Sequence, residues 1–98
     1  MAEIRINMNN VNQQIRQLNE AASELKREMQ KIQSARQDIS SYWQGSGADA
    51  FVKKLDDQYQ ELSNLHQRIT SVASTIKTTA DRIKRQEEAI LKAFQKLQ

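Results

Sequence analysis

Ser41-Tyr42-Trp43-Gln44-Gly45-Ser46-Gly47-Ala48-Asp49 contains both glycines of a 98-residue chain that has no proline. Glycine and proline are the strongest punctuation in a sequence. Here all of it falls at one central place. Gly45 suits a left-handed C-terminal cap of a preceding helix, where a residue with a Cβ would be strained. Ser46 suits the N-cap of a following helix, with Asp49 three residues on as a shortened capping box. Asp49 also brings negative charge to the positive end of that helix. The stretch predicts a tight turn over residues 43–47 between helices of about 8–42 and 48–96, one all-α hairpin.

Upstream of the turn the periodicity is that of a helix. Val11, Leu18, Leu25, Ile32 and Ile39 recur every seven residues, and Met8, Ile15, Ala22 and Met29 fill the offset of four. Spacings alternating three and four place these side chains on one stripe. Arg36 interrupts the stripe, but its aliphatic stem can lie along an apolar seam. Asn7, Asn9 and Asn10 offer N-caps. Ala2 to Ile6 alternate polar and apolar and read as a short extended arm.

Downstream the repeat is stronger. Leu55, Leu62, Ile69, Ile76, Ile83, Ile90 and Leu97 recur every seven residues. Val52, Tyr59, His66, Ala73, Ala80 and Phe94 hold the second seam position, with Glu87 its one charged member. Phe51, Leu65 and Val72 widen the apolar face, as expected of a helix with more than one neighbour. The hairpin seam is therefore assigned to Ile15, Leu18, Leu25, Ile32 and Ile39 against Leu55, Leu62, Ile69 and Ile76.

Folding at Gly45–Ser46 sets Met8 opposite Ile83. The second helix then continues for about fifteen residues, or about 20 Å, carrying Ile90, Leu91, Phe94 and Leu97 past its partner. A two-helix hairpin buries one stripe only, and small chains bury too little surface to be comfortable alone. Pairing two hairpins into a four-helix bundle solves both problems. The expectation is a dimer, with itself or with a similar hairpin.

Catalytic chemistry is not indicated. There is no cysteine, and His66 is the only histidine. It falls on the seam, where a packed ring is the simpler reading. A lone histidine makes a poor metal site. Asp56–Asp57 and Glu87–Glu88 are adjacent pairs whose side chains diverge on a helix. No glycine-rich phosphate loop exists. No catalytic residue, metal or cofactor is assigned. Fifteen Lys and Arg are interspersed with twelve Asp and Glu, which reads as a solvated surface and not as a nucleic-acid tract. No apolar run approaches the ~20 residues that span a bilayer. Residues 1–10 lack the apolar core of a signal peptide, so any export is expected to proceed without a cleaved one.

The Trp43-Gln44-Gly45 turn, central between two amphipathic helices in a chain of this length, resembles the WXG family of ESAT-like proteins exported by bacterial type VII secretion systems. The resemblance covers essentially the whole chain. Phe51 is similar too, since an aromatic residue often sits there in the family. Ile83, Glu87, Ile90 and Phe94 match the spacing of a C-terminal pattern found in Gram-positive members. The resemblance implies an antiparallel four-helix dimer, export into the extracellular medium, and recognition of Trp43 and Gly45, with the C-terminal pattern, by the type VII secretion ATPase. One feature departs. The family's Tyr followed four residues later by an acid is absent, since Tyr42 and Tyr59 are each followed at that distance by serine. In the family a heterodimer partner can supply that signal, so a WXG or effector hairpin is the alternative to self-pairing. Two rival readings stay open. One is an intracellular coiled-coil chaperone or targeting partner without export of its own. The other is a membrane-surface helix pair, suggested by Lys77, Arg82, Lys84, Arg85, Lys92 and Lys96 and diluted by Asp81, Glu87 and Glu88.

Overall fold

Helix formers without interruption give helices without interruption. The computed structural model describes residues 6–97 and contains two, α1 (Met8–Tyr42) and α2 (Ser46–Lys96). Asn7 caps α1 from extended backbone, its Oδ1 accepting the Asn10 N–H at 3.2 Å. Such a cap stabilises a helix by about 1 kcal/mol. The arm expected over Ala2 to Ile6 lies outside the described residues except for Ile6.

The turn is tighter than expected, and its capping differs. Trp43 ends α1 by moving to extended backbone, its N–H still bonded to the Ile39 carbonyl at 2.9 Å. Gly45 does not cap α1. It is the N-cap of α2, with φ 120° and ψ 178°. This region is essentially closed to residues with a Cβ. The Gly45 carbonyl accepts the Asp49 N–H at 3.0 Å, the first bond of α2. Ser46, expected as the N-cap, is already the first helical residue, two positions before the expected start. Its hydroxyl therefore makes no cap. The physical reason is the backbone of Gly45, whose φ and ψ together aim the chain into the helix two positions early. Asp49 keeps its place in the first turn, where it faces the positive helix end.

The helices pack antiparallel, and two polar contacts fix their register. Near the turn, Arg36 Nε donates to Asp56 Oδ1 at 2.6 Å and Nη2 to Oδ2 at 3.4 Å. At the open end, the Ile6 N–H donates to Glu87 Oε1 at 3.2 Å. This register sets Leu18 across from Ala73, Val11 across from Ala80 and Ala22 across from Ile69. At these three positions large meets small. The buried residues are accordingly Ala22, Met29, Ala48, Ala73 and Ala80. The larger seam residues Ile15, Leu18, Leu25, Ile32, Ile39, Leu55, Leu62, Ile69 and Ile76 are half-buried. One helix covers one side of another and leaves its flanks open.

The result is a rod of 80 × 18 × 17 Å. Its accessible surface is 8207 Å². A compact monomer of its 11.3 kDa exposes roughly 5,700 Å². The hairpin therefore shows about 2,500 Å² more than a globule of equal mass, comparable to what large stable interfaces bury.

Candidate functional site

Two surfaces stand apart from the seam, one at each end of the rod. At the turn, the extended backbone of Trp43 swings its indole onto the first turn of α2. A Cβ built on Gly47 would lie 3.3 Å from Trp43 Cζ2 and 3.9 Å from Cη2. Glycine at 47 thus leaves clearance for the edge of the six-membered ring. The indole also meets Phe51, with ring centroids 6.2 Å apart and planes tilted by 49°. Aromatic pairs at this separation add about 0.5–1.5 kcal/mol beyond their burial. Ala48, beneath the ring's end of the seam, is buried. Trp43 is nonetheless 49% exposed, Phe51 is 46% exposed, and Tyr42 is almost fully open. The indole packs at the end of the hairpin and keeps about half of its surface open to solvent.

Sequence reasoning did not find the part played by Gly47. The pair of glycines reads as one flexible turn. The structure separates them into a backbone requirement at 45 and a side-chain clearance at 47. The one available signal is the spacing of Trp43 and Gly47 across the turn.

At the open end, Ile83 and Glu87 are half-buried under the beginning of α1. The Glu87 carboxylate holds the Ile6 N–H. It also lies at the positive end of α1, whose own first turn contains no acid. Beyond it, α2 continues without α1 beside it. Ile90 is 60% exposed, Phe94 is 65% exposed, and Leu91 and Leu97 are open as well. Ile83, Glu87, Ile90 and Phe94 share one stripe of α2, but the structure divides them into a covered pair and an open pair.

Between the ends, Phe51, Leu65 and Val72 lie along one flank of α2, each roughly half exposed. α1 does not cover this flank. His66 sits half-buried on the seam, at the position the register sets across from Leu25. Among the described residues no group of three or more histidines and carboxylates comes together as a metal site. Among the described residues no helix is long and apolar enough to cross a membrane.

Comparison with known proteins gives one match. A family model, WXG100, described as proteins of 100 residues with WXG, covers residues 3–88. It spans both helices of the hairpin and the turn, and it ends where α2 leaves α1. No curated protein and no solved structure matches the chain.

Proposed function

Since the chain belongs to the WXG100 family of small, helical, ESAT-like secretion-system proteins, we propose that it is itself a substrate of a type VII secretion system, acting by protein–protein recognition and not by catalysis. The proposed working form is an antiparallel four-helix bundle of two hairpins. Its ends, Trp43 and Gly45 from one hairpin and Ile83, Glu87, Ile90 and Phe94 from the other, are proposed to form the surface that the secretion ATPase reads. Export is proposed to deliver the protein outside the cell.

The observation that carries this reading is the distribution of exposed apolar side chains. Among the described residues the large ones are Tyr42, Trp43, Phe51, Leu65, Val72, Ile90, Leu91, Phe94 and Leu97. All lie at the turn or on α2. The outer face of α1 from Met8 to Ser41 has none. Clusters of exposed apolar side chains confined to one side of a molecule mark interaction sites. Charge favours the antiparallel arrangement. The part of α2 nearest the turn, residues 46–61, carries Asp49, Asp56, Asp57 and Glu61 against Lys53 and Lys54. The far end carries Lys77, Arg82, Lys84, Arg85, Lys92 and Lys96 against Asp81, Glu87 and Glu88. An antiparallel partner brings the basic end of one chain to the more acidic turn of the other.

A second reading rests on a different observation. The chain has no Tyr followed four residues later by an acid. A larger effector with a matching hairpin would then supply that signal, and this chain would serve as its targeting partner. One experiment tests the main reading. The full chain and Trp43→Ala are expressed in a host with and without the secretion ATPase, and the culture medium is assayed. Secretion of the wild-type chain that needs both the ATPase and Trp43, with helicity unchanged in the variant, is the expected result. Secretion of a folded Trp43→Ala chain at the wild-type level would remove Trp43 from the account.

A further inference from the structure

We propose that the segment from Ile6 to Val11, which leads into α1 and forms its first turn, is a lid over the covered half of the C-terminal pattern, and that partner recognition opens it. The inference rests on the reading of Ile83, Glu87, Ile90 and Phe94 as one recognition stripe. The four residues follow each other at spacings of four, three and four, which aligns them on one face of α2. A partner helix or groove that reads such a stripe needs all four positions at once. In the hairpin it finds two. Ile90 and Phe94 are open, while Ile83 and Glu87 lie half-buried beneath α1.

Named contacts hold the lid in place. The Glu87 carboxylate accepts the Ile6 N–H. The register places Met8 across from Ile83, and both are half-buried. The Asn7 side chain caps the first turn. The same part of the fold is suited to release. α1 has no acid in its first turn to complement the helix dipole. Outside its own helical bonds, two amides at this end find side-chain acceptors, Asn10 N–H on Asn7 and Ile6 N–H on Glu87. Ile6, Met8 and Val11 are only half-buried, so opening exposes little that was dry. Terminal segments with few buried contacts open at a small fraction of the global unfolding free energy. Glu87 therefore has two exclusive uses. Closed, it anchors Ile6. Open, it is the one acid on an apolar stripe.

Thermodynamic linkage then fixes the outcome. A partner that binds only the open form has its apparent affinity reduced by the fraction of open chains. Holding the lid shut weakens binding, and loosening it without touching the stripe strengthens binding.

The test uses the full chain and the purified cytoplasmic ATPase domains of the host's secretion system, with affinity read by calorimetry. The chain has no cysteine, so Val11→Cys with Ala80→Cys introduces a unique pair across the seam without touching the stripe. The expected result is at least tenfold weaker binding when the pair is oxidised than when it is reduced. Asn7→Ala, which removes the cap and leaves the stripe intact, is expected to bind severalfold more tightly than the wild type. Equal affinity of the oxidised and reduced forms, or unchanged affinity of Asn7→Ala, overturns the lid. Phe94→Ala separates the two levels of the proposal. If Phe94→Ala binds as the wild type does, the recognition stripe itself is wrong, whatever the lid does.

Discussion

The indole of Trp43 meets Gly47 with the edge of its six-membered ring, Cζ2 lying 3.3 Å from where a Cβ would stand. This contact joins the last residue before the turn to the first turn of the next helix. It holds the exposed part of the indole in one orientation, beside Phe51. A large apolar side chain held rigidly pays little entropy on binding, which is what an interface anchor requires.

Gly47→Ala tests the contact. Alanine in a helix is favoured over glycine by about 1 kcal/mol, and the displaced ring costs an offsetting amount. Global stability in urea is expected to change by less than about 1 kcal/mol. Trp43 emission and its near-ultraviolet dichroism are expected to change clearly. Unaltered tryptophan signals would mean that the ring does not pack against position 47.

Gly45→Ala should act the other way. The φ of 120° at Gly45 is open to glycine and strained for alanine. Such strain costs on the order of 1–3 kcal/mol. Urea denaturation is expected to show a loss in that range. No packing loss accompanies it, because nothing lies within 4 Å of the added Cβ. A neutral result would refute the backbone conformation given for the turn.

Arg36 and Asp56 join the helices near the turn, yet both are about half exposed. Exposed pairs contribute roughly 0.2–1 kcal/mol, and salt screens them. A double-mutant cycle with Arg36→Ala and Asp56→Ala is expected to give a coupling in that range, declining in high salt. A coupling of zero at low salt would show that the pair does not set the register.

Much of this was legible from the sequence, for identifiable reasons. The seam from Met8 to Ile39 and from Val52 to Ile83 follows from a seven-residue period, which only a helix turns into a face. The position of the turn follows from two glycines. The matching of Leu18 to Ala73 and Val11 to Ala80 follows once the chain is folded there. Other features depend on backbone angles or long-range contact and leave no periodic trace. Gly45 serves α2 and not α1 because of φ and ψ values that composition does not encode. Gly47 matters through clearance beside Trp43. Ile6 and Glu87 meet across almost the whole chain, and the spacing that groups Glu87 with Ile90 and Phe94 is silent about its engagement by Ile6.

The open end of α2 supplies a further check. Ile90→Ala and Phe94→Ala remove exposed side chains that make no contact needed by the hairpin. Helicity is expected to hold. Binding to the proposed secretion ATPase is expected to weaken by about tenfold for each, the effect of losing about 1.4 kcal/mol at an interface anchor. Binding at wild-type strength would show that the ATPase does not read these residues.

The most direct test of the account is the solution mass of the full chain by light scattering at a few micromolar, with helicity recorded on the same sample. A hairpin with about 2,500 Å² more surface than a compact monomer has room along α2 for a second one. The predicted result is a highly helical particle of twice the 11.3 kDa chain mass. A monomer that is equally helical and unfolds cooperatively would contradict it, because the exposed face of α2 would then need no partner.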